Sequence, residues 1–299
     1  MKQYKFKFDR RFLYGSLDNF FHFMWGYMLP SISEVNKINS KNVQYFYEDC
    51  GPVINKIIHE FSGLLKLNYK ILNMSDFKKT HAKTITVNRW DIYAKKIKPT
   101  RKCRAWYRRI LTRLHYKIFR VLFVDTRKNS KYLIDIENTR KDILRRVESI
   151  DFPHEESISP KFILKRSKSP EYYKEGGKAE YNHYGTSIRA LVGVEKTIDS
   201  LQNDNLHFST YEPGKHTICH QVQTFYNAET VFGIRGAEVA NMFWMKPGST
   251  LIIINPIGMS ASIAKDIAKI LNINYIEINT EQGFYPDLST FNLKEYLNK

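Results

Sequence analysis

Two rhythms of hydrophobic and polar positions run along this 299-residue chain. Strict alternation over Tyr4–Phe8 predicts a short strand. Asn19–Leu29 is apolar and aromatic, which predicts a helix ending at Pro30, since an interior proline lacks the amide donor. Val43–Tyr47 and Tyr69–Leu72 read as strands, and Thr84–Tyr93 contains another. Between them Pro52–Leu65 has helical spacing, with a proline in its first turn. In Arg101–Phe123, Trp106, Tyr107, Ile110, Leu111, Leu114, Ile118 and Leu122 recur at three- and four-residue steps, the period of one amphipathic helix. A short segment, Lys131–Ile136, and a helix near Thr139–Val147 follow.

Past a proline-containing linker at Ser149–Pro160 the alternation of elements is cleaner. Strands are expected at Phe162–Lys165, Leu206–Tyr211, Thr230–Ile234, Thr250–Asn255 and Tyr275–Ile278. Helices are expected at Thr186–Leu201, His220–Ala228, Gly236–Trp244 and Ser260–Leu271, with a last one near Thr290–Asn298. Strands separated by helices imply βαβ units and a parallel sheet. The run Leu251–Asn255 is apolar on both faces, as a central parallel strand must be. The expected class is α/β, with two domains, residues 1–150 and 151–299, the second of them Rossmann-like.

Charge separates the same two halves. Residues 1–150 hold 32 Lys/Arg against 13 Asp/Glu, and residues 151–299 hold 15 against 17. The excess peaks between Lys95 and Arg146, and Arg101–Val124 contains no acidic residue. Such an asymmetry points to an anionic partner, and a basic amphipathic helix suits an anionic membrane surface as well as it suits a core whose outer side is basic. The three cysteines (Cys50, Cys103, Cys219) are scattered, so neither a disulfide framework nor a zinc site is expected and a reducing compartment is. No run of about 18 apolar residues and no leader pattern stands in the sequence, so a cytoplasmic location is expected, peripheral at the inner face of a membrane.

In an open parallel sheet, ligands bind at the carboxyl ends of strands. That rule singles out Thr230–Ile234 running into Arg235-Gly236-Ala237, where free helix amides and a guanidinium can hold phosphate. Lys165 and Arg166 end the strand before, and Arg189 follows. If the sheet is parallel, Arg166, Arg189 and Arg235 converge on one edge suited to a diphosphate. Glu238 and Asn241, three apart, share a helix face and can take sugar hydroxyls. Plainer readings stand beside these: a tight turn at Gly236, Arg189 in solvent, and Glu238 and Asn241 as capping and packing residues.

The block His220–Pro256 resembles the C-terminal signature of glycosyltransferase family 61. Gln221, Ala228, Gly233, Gly236, Ala237, Asn241, Pro247, Gly248 and Ser249 match it. Asn19, His22, Phe23, Leu29 and Pro30 match its N-terminal element. Arg235 stands where that family usually has a histidine, and no asparagine follows Arg189 in place. The resemblance implies an inverting, metal-independent glycosyltransferase of GT-B arrangement, two Rossmann-like domains whose parallel sheets face a central cleft, with a nucleotide-sugar donor, UDP-linked by expectation, in the second domain and a glycan or lipid-linked glycan acceptor in the first. Donor contacts would fall to Lys165, Arg166, Arg189, Gln221, Arg235, Gly236, Ala237, Glu238 and Asn241, and the acceptor side to Asn19 and Asp49. No Asp-x-Asp diphosphate–metal element is present, Asp135-Ile136-Glu137 being the nearest approach, and no cofactor is expected.

An inverting transfer needs a base for the acceptor hydroxyl. His22 is the first candidate, although it sits among Phe20, Phe21, Phe23 and Trp25 as a core histidine would. Asp91 is the second and Asp49 the third. The Gly- and Tyr-rich insertion Glu171–Gly185, with Tyr181 and Tyr184, reads as a lid or a surface loop. Two other functions compete: nucleic-acid binding, for which no helix-turn-helix, RNP or zinc pattern appears and which is not expected, and a pyruvyl or phosphosugar transferase on the same frame.

Overall fold

A computed structural model describes residues 1–8, 23–38, 42–87, 130–150, 158–168, 186, 189–257 and 262–297. The basic segment Arg101–Phe123 and the insertion Glu171–Gly185 lie outside the described residues. In the first half, β1 (Lys2–Phe8), β2 (Val43–Glu48), β3 (Asn68–Leu72) and β4 (Lys83–Val87) form a parallel sheet of order β3-β2-β1-β4. In the second, β5 (Lys161–Leu164), β6 (Ser209–Tyr211), β7 (Thr230–Ile234), β8 (Thr250–Pro256) and β9 (Asn274–Thr280) form a parallel sheet of order β6-β5-β7-β8-β9.

The described helices are α1 (Leu29–Ile38), α2 (Pro52–Leu64), α3 (Met74–Lys79), α4 (Ser130–Glu148), α5 (Val194–Asn203), α6 (Ile218–Tyr226), α7 (Ser262–Ile270) and α8 (Lys294–Leu297). A 3-10 segment, Ala237–Trp244, follows β7.

Period two decides how the second sheet is covered. Phe162, Leu164, Val231, Leu251 and Ile253 enter one apolar cluster, while Ile163, Phe232, Ile252 and Ile254 enter another on the opposite face. The first cluster is continuous with Phe6, Tyr45, Tyr47, Trp25 and Phe61 of the first half, so one core joins both sheets.

The join is aromatic and polar at once. Trp25 meets Phe243 edge-on at 5.1 Å, and Phe61 lies 6.2 Å from Trp244. The Arg140 guanidinium donates to the Met245 and Trp244 carbonyls, and the Glu60 carboxylate accepts the Ile218 amide at the start of α6.

Three expectations need correction. The helix does not stop at Pro30: a π-helical turn, Met24–Met28, runs into α1, and Pro30 is its second residue. The wider π turn gives the proline ring room against the preceding turn, and the Leu29 amide bonds back to the Met24 carbonyl. Lys131–Ile136 is not separate but part of α4. Arg189 is not near a helix start. Its segment is extended and pairs with the chain near Asp287 through Ala190, Val192 and Leu288, and Gly193, at φ +69°, turns it into α5. The C-terminal α8 stays with the second half, where Tyr296 and Leu297 pack on its outer cluster and Lys294 pairs with Asp204.

Asp49, after β2, braces the turn into α2. Its carboxylate accepts the Gly51 amide at 2.9 Å and the Asn55 side chain at 2.8 Å. The Gly51 amide first, then Asn55, hold the carboxyl below the usual carboxylate range. Asp49→Ala is expected to cost about 1 kcal/mol at neutral pH. With the folded-state pKa depressed, that contribution is full above roughly pH 4 and fades as pH falls through the lower folded value. Urea titrations at neutral and strongly acidic pH should therefore show a gap between variant and parent that closes in acid.

Candidate functional site: the strand edge at the second switch point

In the second sheet β6 lies on one side of β5 and β7 on the other, so the chain reverses its direction of sheet growth between β5 and β7. Such a switch point leaves a crevice at the carboxyl ends of the two strands. Arg166 follows β5 and Arg235 follows β7, so both guanidinium groups emerge at the rim of that crevice. Arg189 is brought to the same place from its extended segment, since the charges of Arg166, Glu238 and Arg235 all act on it. Burial first, then the charge of Arg166, pull its guanidinium down to about 10.

Glu238 pairs with Arg166, and its charge acts on Arg189. Its carboxylate accepts from Arg166 Nε at 3.0 Å, with the Arg166 side chain only 7% exposed. Arg166 Nη1 and Glu238 Oε2 are both buried without a hydrogen-bond partner. A buried guanidinium nitrogen left over in a cationic crevice is a vacant donor for an anion. Gly236 makes the pair possible through space rather than backbone freedom, its own backbone being extended. A Cβ there would come within 2.3 Å of Glu238 Oε2, while its approach to the Arg166 guanidinium, at 3.4 Å, would be ordinary contact.

Arg235 is held from the other side. Its Nη1 donates to Asn255 Oδ1 at 3.3 Å, and Asn255 Nδ2 donates to Glu277 at 2.8 Å and Asn279 at 3.1 Å. Burial lowers the Arg235 pKa, while Tyr275 and Glu277 oppose the shift. Sequence reasoning missed Asn255, Glu277 and Asn279. The signal available was a row of polar residues closing the apolar strands β8 and β9 at one end.

The other expected donor residues do different work. Lys165 turns away to pair with Glu195 on α5. Gln221 and Asn241 are buried and bonded to each other, Asn241 Nδ2 to Gln221 Oε1 at 2.9 Å, while Gln221 Nε2 donates to the Pro213 and His216 carbonyls. They tie the loop after β6 to the 3-10 segment, while Asn241 Oδ1 is buried without a hydrogen-bond partner among the described residues. Ala237 begins the 3-10 segment and packs against the joint core. Asp49 belongs to the turn before α2. Asn19, His22 and Asp91 lie outside the described residues, but in sequence they follow β1 and β4, the two strands that flank the switch point of the first sheet.

Among the described residues no group of three or more His, Cys, Asp or Glu side chains is placed to hold a metal ion, and no helix is long and apolar enough to cross a membrane. Cys50 and Cys219 take part in no disulfide among the described residues.

Fold and site together define an α/β protein whose second parallel sheet presents an arginine-rich edge at its switch point. The family model described as Glycosyltransferase 61 matches residues 20–252, and the chain belongs to glycosyltransferase family 61. No curated protein matches the chain significantly.

The contact between Gly236 and Glu238 makes a double-mutant cycle decisive. Gly236→Ala should cost on the order of 1–3 kcal/mol, because it pushes the carboxylate off Arg166 and leaves a buried charge uncompensated. In a Glu238→Ala background the same methyl should cost less than about 0.5 kcal/mol, a non-additivity read by urea denaturation of the four proteins.

Proposed function

We propose that the chain is an inverting, metal-independent glycosyltransferase of GT-B arrangement, with residues 1–150 as the acceptor side and 151–299 as the nucleotide-sugar side. The observation that carries the reading is the set of three arginines at the β5–β7 switch point, with Arg166 Nη1 buried and unspent beside Gly236. The acceptor oxygen attacks the anomeric carbon as the bond from that carbon to the donor phosphate oxygen breaks. The bonding pair leaves with the nucleoside diphosphate, and the acceptor proton passes to a base.

Charge grows on the leaving diphosphate, and preorganised cations lower the barrier most where charge develops. Arg166 and Arg235 take that part, Arg189 adds to the field, and the amide at Gly236 faces the same crevice. Glu238 balances the arginines before the donor arrives and offers Oε2 to a donor hydroxyl. His22, with Asp91 as the alternative, is the base in this scheme, on a segment that follows the first sheet's switch-point strands. The acceptor is a glycan or lipid-linked glycan of surface polysaccharide synthesis. The basic first half would hold the enzyme at the inner face of an anionic membrane, within the cytoplasm.

A thermal-shift screen with UDP-, GDP-, CMP- and dTDP-sugars in EDTA tests the reading. One donor should raise the melting temperature by about 5 °C at a hundredfold excess over Kd. Arg235→Ala, and Arg166→Lys, which keeps a charge but loses the fork, should weaken that donor ten- to a hundredfold. Donor binding that survives both changes, or that needs Mg²⁺ or Mn²⁺, overturns the scheme.

A further inference from the structure

A second basic site lies at the other sheet, far along the chain from the arginine edge. A cleft of about 890 Å³ opens at the amino ends of β2 and β3, between the end of α1, the α2–β3 turn and the outer side of α4. Among the described residues Lys66, Lys141, Arg145 and Arg146 line it, with Asp142 as the one acidic residue of the lining. Arg146 pairs with Asp142 at 3.1 Å and Lys141 with Glu137 at 2.7 Å, so Lys66 and Arg145 are the two cations of the lining without a carboxylate partner among the described residues.

Three primary amides, Asn36, Asn68 and Asn138, stand among those cations. Asn36 and Asn138 make no side-chain hydrogen bond among the described residues, and Asn68 has only a long contact to the Met1 sulfur. An amide offers donor and acceptor together, the pairing that neighbouring sugar hydroxyls require, whereas cations alone would serve any phosphate. The volume is near the top of the roughly 300–1,000 Å³ range of small-molecule sites, room for a chain of sugars rather than one ion.

Lys66 is the telling residue. The α2 terminus closes with the Lys66 amide on the Gly63 carbonyl and the Leu67 amide on the Ser62 carbonyl, both at 2.9 Å, which puts Lys66 at φ +52°. Two other helices end in the same bonding pattern, and there the left-handed position is Asn205 or Asn272. Asparagine tolerates that conformation, and a lysine pays roughly 1 kcal/mol for it. At this one of the three turns the chain carries a cation instead, aimed at a cleft lined with cations.

We infer that this cleft binds an acidic, carboxylate-bearing oligosaccharide as a holding site apart from the donor edge. The choice of a saccharide over other anions rests on membership of a glycosyltransferase family, not on the donor scheme above. The test uses the full chain and isothermal titration at about 0.1 M salt, with hexagalacturonate, neutral maltohexaose, inorganic phosphate and a twelve-residue oligothymidylate as probes. Hexagalacturonate should bind at least tenfold tighter than each of the other three. Lys66→Asn should weaken it three- to tenfold while the melting temperature stays level or rises, and Lys141→Ala with Arg145→Ala should weaken it further. These variants should keep nucleotide-sugar binding, and Arg235→Ala should keep hexagalacturonate binding, so a failure at one site is read separately from a failure at the other. No binding of hexagalacturonate, equal binding of phosphate, preference for the oligonucleotide, or cleft variants that bind as the parent does would each overturn the assignment.

Discussion

Burial of the 3-10 segment is the constraint on which the site depends. Val239 to Met245 is inaccessible or nearly so, and its aromatic end is gripped by Trp25 and Phe61 while Arg140 takes the carbonyls that the segment's end leaves open. A 3-10 turn is a poor helix on its own, with strained hydrogen bonds and a short natural length. Here tertiary burial supplies what local geometry does not. Because the segment starts at Ala237, fixing it fixes Gly236 and Glu238, and Glu238 then fixes the head of Arg166. The rim of the second sheet is thus set by contacts contributed from the first half.

The charges of Arg166 and Arg235 act against that of Arg189, and burial penalises both Arg189 and Arg235. The structure offsets this with two carboxylates, Glu238 against Arg166 and Glu277 reaching Arg235 through Asn255. The arrangement is not a set of strong salt bridges. Arg235 gets only a 3.3 Å amide contact and Arg166 keeps an unspent nitrogen. Partial compensation of that kind leaves a field ready for an anion, since full pairing would consume the donors and no pairing would not be stable in a half-buried place.

Much of this was legible because parallel strands buried on both faces write long apolar runs, and their ends are marked by the first charged residue. That is how Arg166 and Arg235 could be placed on one edge from β5 and β7 alone. Arg189 resisted, because its extended segment is set by pairing with the chain near Asp287, a partner almost a hundred residues on that no local period reveals. The bond between Gln221 and Asn241 was hidden for a related reason: a polar residue on a helix reads the same whether it faces a cavity or another amide. Pro30 misled because a π turn before it relaxes the clash on which the stop rule rests. In Lys131–Ile136 the local pattern was too short to show that α4 runs through it unbroken.

The continuity of α4 also bears on how the two basic regions relate. Arg140 reaches inward to the carbonyls that end the 3-10 segment, while Lys141 and Arg145, on the same nineteen-residue helix, line the outer cleft. Neighbouring residues on a helix point about 100° apart, so one element serves both places without the two sharing a contact. Coupling between distant sites requires an element with two arrangements that each ligand biases. A helix packed on α1, α6 and the 3-10 segment at once, with Ile136, Ile143 and Val147 buried along it, is a rigid strut by that standard. The physical role open to the cleft is therefore to raise the local concentration of a long substrate rather than to signal to the arginine edge.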